Sequence, residues 1–296
     1  MHRCSLDRGW LKLAGFAALA AIALSPVDKA SAAAWTRAQN QYLLVIPVQY
    51  ATADRQFDED GDKINRLRFQ QVDVSPYFEF GLTDALTIGA QPRFIWVRQA
   101  NEFGGDDINT GLADVDVFAR LRLWGRDSAA LSVQGLVKAP IEADETEAAP
   151  LGFDQADIEG SLLYANAYSA GSGRIFYNLD VGYRKRFETP GDEIHGNGFI
   201  GWSPNASRWT FVAASNNTFG VRNEEDNLLE ALTARPDFRR NQVQASASYR
   251  LGDRVSIVAG GFTTVSGRNV GVSHGGFISL VFSLDPSLIF GTEPYF

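Results

Sequence analysis

Side chains on an extended chain point alternately to two faces, and twelve stretches of this sequence alternate apolar with polar residues. Between Asp114 and Leu123, for example, Val115, Val117, Ala119, Leu121 and Leu123 form one row, and Asp114, Asp116, Phe118, Arg120 and Arg122 form the other. A water-soluble barrel would hide its apolar row and show its charges. The reverse exposure suits an outer-membrane barrel, where the apolar row meets lipid and the charged row meets the lumen. The expected fold is therefore all-β: a transmembrane antiparallel up-and-down β-barrel of about 12 strands.

The pattern predicts strands near 41–51, 70–81, 84–98, 112–124, 128–140, 156–168, 174–187, 193–203, 207–218, 239–251, 254–266 and 271–283. The links at 81–84, 125–127, 170–173, 204–206 and 252–253 are turn-sized and rich in Gly, Pro, Asn and Asp. Those at 52–65, 99–110, 141–155 and 219–238 are long and mostly acidic, whereas 188–192 and 267–270 are shorter loops on the same side. Short turns belong in the periplasm and long loops outside, so both termini fall in the periplasm and the strand count must be even. Trp124, Trp202, Trp209 and Tyr249 fall near the short-turn rim and Trp96 near the other, as expected of side chains that gather where lipid meets water.

Residues 1–32 read as a cleaved secretory signal: Arg3, Arg8 and Lys12 precede an apolar run from Leu13 to Leu24, and Ala30, Ser31 and Ala32 follow. That run is shorter than the roughly 17 to 25 residues a spanning helix needs. Without this segment 23 basic and 33 acidic residues remain, a balance that argues against nucleic acid as a partner. Cys4, the only cysteine, lies within it, so neither disulfides nor a Cys-based zinc site is expected in the remainder. The organisation expected is a signal over 1–32, a barrel over 33–283 and a periplasmic tail over 284–296. No plug domain and no motif for an energy-coupling partner is recognisable.

An unpaired backbone amide in hydrocarbon costs several kcal/mol, so the first and last strands should pair and close the sheet. Ser273, Gly275, Ile278, Leu280 and Phe282 follow the terminal-strand pattern read by the outer-membrane assembly machinery, although the chain runs on to Phe296. The expected partners are outer-membrane lipids and lipopolysaccharide, that machinery, and a small solute.

The run SPYFEFGLTDALTIGAQPRFI from Ser75 to Ile95, GLADVDVFARLRL from Gly111 to Leu123 and LSVQGLVKAPIE from Leu131 to Glu142 resemble a known family. It is the group of bacterial outer-membrane barrels named for the meta-pathway of phenol degradation and described as transporters. The resemblance lies between Ser75 and Glu142 and is carried by a GLTD hairpin turn followed by a G-L-x-D strand opening. It implies a barrel that passes hydrophobic or aromatic solutes, and it assigns no functional residue.

The alternation places Glu79, Arg93, Asp114, Asp116, Phe118, Arg120, Arg122 and Lys138 on the lumen wall, with Asp73, Asp157, Glu159, Asp180, Arg184, Arg186 and Arg250 also inward. Arg93, Arg120, Arg122 and Lys138 lie on adjacent strands. They form either a basic ladder of the kind that sets a selective constriction or one half of a salt-bridge network filling the lumen. Asp58, Glu59, Asp60 and Asp62 around Gly61 look like a calcium loop but lack the distal Glu, so an acidic solvated loop is the simpler reading. Twelve-stranded outer-membrane phospholipases use an Asn, a His and a Ser. Here His195 is followed two residues later by Asn197 rather than Ser, and adjacent Ser273 and His274 face opposite ways. The expectation is a passive outer-membrane channel with no cofactor and no catalysis, set against a lipid hydrolase and a closed structural barrel.

Overall fold

The computed structural model describes residues 34–64, 68–100, 104–126, 128–141, 149–152, 155–187, 191–221 and 238–283. The signal segment through residue 32 and the 284–296 tail lie outside them. The strands are β1 (Tyr42–Ala53), β2 (Gln56–Phe57), β3 (Lys63–Ile64), β4 (Phe69–Val74), β5 (Tyr77–Thr83), β6 (Leu86–Ala100), β7 (Asp106–Arg126) and β8 (Ala129–Pro140). They continue with β9 (Asp157–Ala170), β10 (Gly173–Arg186), β11 (Glu193–Pro204), β12 (Trp209–Gly220), β13 (Arg239–Arg250), β14 (Val255–Arg268), β15 (Val270–Gly271) and β16 (His274–Ser283).

Each long strand pairs antiparallel with its neighbour in sequence, and β16 returns to β1 with Leu43 opposite Ser283 and Thr52 opposite His274. With β4 and β5 sharing one position in the wall, this is a closed barrel of 12 antiparallel strands. Closure leaves no edge amides facing lipid. It also requires close backbone approach, since a Cβ on Gly275 would sit 1.9 Å from the Tyr50 carbonyl oxygen.

The outer surface is apolar: Val117, Leu123, Leu179, Val181, Ile200 and Phe211 are exposed on it. On β7 the inward row includes buried Asp114, Phe118 and Arg120, so the alternation read from the sequence becomes the two faces of the wall. Trp124, Trp202 and Trp209 are exposed at the short-turn rim, where Trp209 stacks on Phe211 with centroids 6.3 Å apart and tilts against Tyr249 at 4.8 Å.

Three features depart from the sequence expectation. The second predicted strand, 70–81, is two strands, because Ser75 and Pro76 break the ladder. The 267–270 segment is more than a simple loop: β15 pairs with β2, and β2 with β3, in a small sheet above the long-loop mouth. The last predicted strand, 271–283, begins only at His274, and Val272 instead joins Phe57, Phe238 and Val270 in the apolar cluster of that cap. Such two-residue strands are too short to carry a periodic signal.

Candidate functional site: the barrel lumen

The segment leading into β1 enters the barrel at the short-turn end and crosses it. The Ala34 backbone N–H donates to Asn178 Oδ1 at 2.9 Å, and Ser132 Oγ donates to the Ala34 carbonyl at 2.5 Å. Trp35 and Ala34 pack with Ala130, Leu163 and Ala165 on the β8 and β9 side. At its other end the strap is fixed to the β5–β6 hairpin. There Thr36 Oγ1 donates to the Asp84 carbonyl at 2.6 Å, the Arg37 N–H to Thr87 Oγ1 at 2.7 Å and the Gln39 N–H to Asp84 Oδ1 at 2.9 Å. The backbones of Gly81 and residues 40–41 exchange two further bonds of 2.9 Å. A Cβ on Gly81 would lie 2.1 Å from the Ala38 carbonyl oxygen, so only glycine lets the strap lie down here. The GLTD motif therefore makes a turn and also a dock. Eight residues without periodicity, 34–41, held by partners far away in sequence, occupy the short-turn end of the bore.

Directly above the strap, Glu79 collects three donors. Arg37 Nε lies 2.5 Å from Oε2, Arg120 Nη1 2.8 Å from Oε1, and Tyr77 donates its hydroxyl to Oε1 at 2.5 Å. Arg120 also donates to Gln134 Oε1 at 3.0 Å and to the Trp35 carbonyl at 3.2 Å. Its side chain is 0% exposed and that of Glu79 1%, so each charge is affordable only through the other. Phe118 stacks on Tyr77 with centroids 5.5 Å apart and overlies Gly89, where a Cβ would meet its ring at 2.2 Å.

Two further ion networks line the wall. Arg93 bridges Asp114 at 2.9 Å and Asp73 at 3.3 Å. Across β8 to β11, Asp157 takes Lys138 at 2.9 Å, Glu159 takes Arg184 at 2.8 Å and Glu193 takes Arg186 at 2.5 Å. Asp116 faces inward opposite Lys138, Asp180 accepts from Asn197 at 2.9 Å, and Arg122 is half-buried near the short-turn rim. Arg250 is exposed at that rim. The basic residues do not stand as a row of like charges. Arg93 and Lys138 each meet a carboxylate from a neighbouring strand, and Arg120 meets Glu79 from two strands away.

The long-loop half of the lumen differs. Ala51, Phe69, Ile95, Val97 and Phe262 form a buried apolar cluster with Phe277 packed against it, and Ala149 and Leu151 of the β8–β9 connection join from the mouth. The consecutive apolar residues Ile95, Trp96 and Val97, where alternation should place a polar inward residue, were the signal for this lining.

His195 faces Glu159 at 3.4 Å and Glu193 at 3.7 Å, both acceptors, and stands opposite Thr218 of β12. Ser273 is buried against the Thr264 hydroxyl at 2.9 Å, while His274 is exposed. Asp58 Oδ1 accepts the N–H groups of Asp60 at 3.0 Å and Asp62 at 2.8 Å, so this carboxylate holds its own turn. In the outer β10–β11 connection burial raises the Asp192 carboxyl. The Tyr183 hydroxyl, the Arg186 N–H and the Lys185 ammonium outweigh that and hold it below the usual carboxylate range.

No known family model matches this chain, and no curated protein matches it significantly in sequence. Among solved structures, the COG4313 outer membrane channel from Pseudomonas putida F1 aligns over 88% of this chain and 100% of its own, with a TM-score of 0.67 and 14% identity. The transport unit of the autotransporter AIDA-I from Escherichia coli aligns over 93% and 98%, with a TM-score of 0.52 and 9% identity. The NanC porin aligns over 81% and 100%, with a TM-score of 0.50 and 9% identity. At these identities the likeness is one of fold: this chain has the fold of the outer-membrane β-barrels.

Proposed function

We infer that the protein is an outer-membrane channel that admits small solutes passively and favours hydrophobic or aromatic ones. The observation that carries this reading is the inward apolar wall of Phe69, Ile95, Val97, Phe262 and Phe277. A lumen meant only for hydrated ions gains nothing from such a wall, whereas an apolar ring gains the burial of its own surface there. Delivery by a cleaved signal and insertion by the assembly machinery through β16 belong to the same proposal, as does contact with lipopolysaccharide. The aromatic preference also draws on the family resemblance around Ser75–Ile95.

The test compares entry of sugars, amino acids and phenolic compounds into vesicles that carry lipopolysaccharide, which slows spontaneous entry of apolar molecules. Phenolic compounds should enter faster than the others, and Phe277→Ala should reduce that advantage while leaving the barrel folded. Equal rates for all three classes would reduce the protein to a general pore. A closed structural barrel is the second reading, favoured by the strap and the paired charges; it requires that no solute enter faster than into protein-free vesicles.

A further inference from the structure

The lipid-facing surface is uneven. Directly opposed residues on paired strands point to the same face, so the register traces outward rows around the wall. One such row starts at exposed Ile200 and runs through Ala213, Ala245, Gly261 and Gly276 to exposed Tyr50. Over β7 to β10 the same face carries the larger Val117, Val133, Leu162, Leu179 and Val181. Between Ile200 and Tyr50, therefore, the wall is a low strip with a ridge on either side.

The strip leads upward to a basic head at the long-loop rim. Ser215 stands opposite Gly198 and Val243, and in the next row Asn217 stands opposite Gly196 and Asn241. Asn217 Nδ2 donates to the Gly196 carbonyl at 2.7 Å. Asn241 Nδ2 donates to Ser266 Oγ at 2.8 Å, so the Ser266 hydroxyl keeps its own proton for an acceptor. In the row above, Phe219 stands opposite Arg239 and Arg239 opposite Arg268, both arginines being exposed. From Arg239 down to Ala245 the strand covers about 20 Å.

Like charges at directly opposed positions repel, so the Arg239–Arg268 pair is unfavourable by itself. Elsewhere at this rim Arg68 and Arg98 share Asp106, and Lys185 takes Asp192. Arg239 instead lies over the Phe219 ring at 5.4 Å, and no carboxylate among the described residues comes within ion-pair distance of it. The ring orients this charge without neutralising it.

We propose that Arg239 and Arg268 clamp a phosphate of lipopolysaccharide, with one acyl chain of that lipid laid along the low strip beneath. A phosphate between two guanidinium groups turns their repulsion into charge-assisted hydrogen bonds. Ser266, next below, can donate to the ester or amide carbonyl that joins an acyl chain to the sugar. Lower still, the chain gains dispersion contacts along a bed where small side chains leave room between Ile200 and Tyr50. The site lies outside the barrel and goes beyond the channel reading, since it stands whether or not a solute passes the lumen.

The test titrates detergent-solubilised protein, stripped of co-purified lipid, with hexa-acylated lipid A and counts bound molecules by native mass spectrometry. Wild type should hold one lipid A tightly. Arg239→Gln with Arg268→Gln should weaken binding by at least about tenfold, the scale of losing hydrogen bonds to a charged group. Ala245→Trp, which raises the strip and leaves both arginines in place, should weaken it as well. Arg208→Gln with Arg254→Gln removes the same charge at the short-turn rim and should change nothing. Heat-modifiable migration verifies that each variant is folded. Dephosphorylated lipid A should bind wild type no better than it binds the Arg239 and Arg268 double variant. Equal lipid A affinity in wild type and that double variant would overturn the clamp. Phosphatidylglycerol bound as tightly as lipid A would overturn lipopolysaccharide as the occupant. A lipid-independent dimer broken by Ala245→Trp would assign the strip to a second copy of the chain and overturn the proposal as well.

Discussion

Glu79→Ala is expected to destabilise the barrel by about 3–5 kcal/mol, the usual cost of leaving a buried charge without its partner. The substitution strands two guanidinium groups: Arg120, whose side chain is fully buried, and Arg37, whose side chain is 5% exposed. It also removes the acceptor of the Tyr77 hydroxyl. The denaturant midpoint for loss of the heat-modifiable band reads the effect. Glu79→Gln should recover little, because it keeps the shape and an acceptor but not the charge. Replacing Glu79, Arg37 and Arg120 together by leucine or methionine should recover much of the loss, since desolvation then disappears along with attraction. A midpoint unchanged in Glu79→Ala would mean that this network does not hold the lower lumen.

The second large effect is on conductance. Gly81→Val puts atoms where the Ala38 and Arg37 carbonyl oxygens now lie, within 2.1 and 2.7 Å of a Cβ, while leaving every charge in place. The strap must lift, and with it the plug that Ala34 and Trp35 form against Ala130, Leu163 and Ala165. Single-channel conductance in planar bilayers should rise several-fold over wild type, and deletion of residues 34–39 should give a similar increase. Conductance equal to wild type in both variants would show that the strap does not limit the axial path.

The wall was legible in the sequence because lipid on one side and a polar lumen on the other impose a strict alternation on a strand such as β7. Short turns rich in Gly, Asn and Asp fixed the hairpins for a local reason of the same kind. What was not legible depends on residues meeting across the barrel. Arg120 and Glu79 lie on strands that are not hydrogen-bonded to each other, and Ala34 meets Asn178 across 144 residues. The strap carries no periodicity, since its backbone bonds go to side chains and turns instead of a ladder. The basic ladder illustrates the same point: the inward position of Arg93, Arg120 and Lys138 follows from parity, but their carboxylate partners follow from which strands the closed barrel brings together, side by side for Arg93 and Lys138 and two strands apart for Arg120.

The most direct test of the account asks which face of β7 meets acyl chains. Val117→Cys and Asp116→Cys, each with Cys4 replaced, place a fluorescent label on adjacent residues in protein reconstituted with brominated lipids. Val117 is 55% exposed on the outer surface and Asp116 looks inward at Lys138. Strong bromine quenching at position 117 with little at 116 is the predicted result. Equal quenching at the two positions, or stronger quenching at 116, would contradict a barrel whose apolar face is turned to lipid.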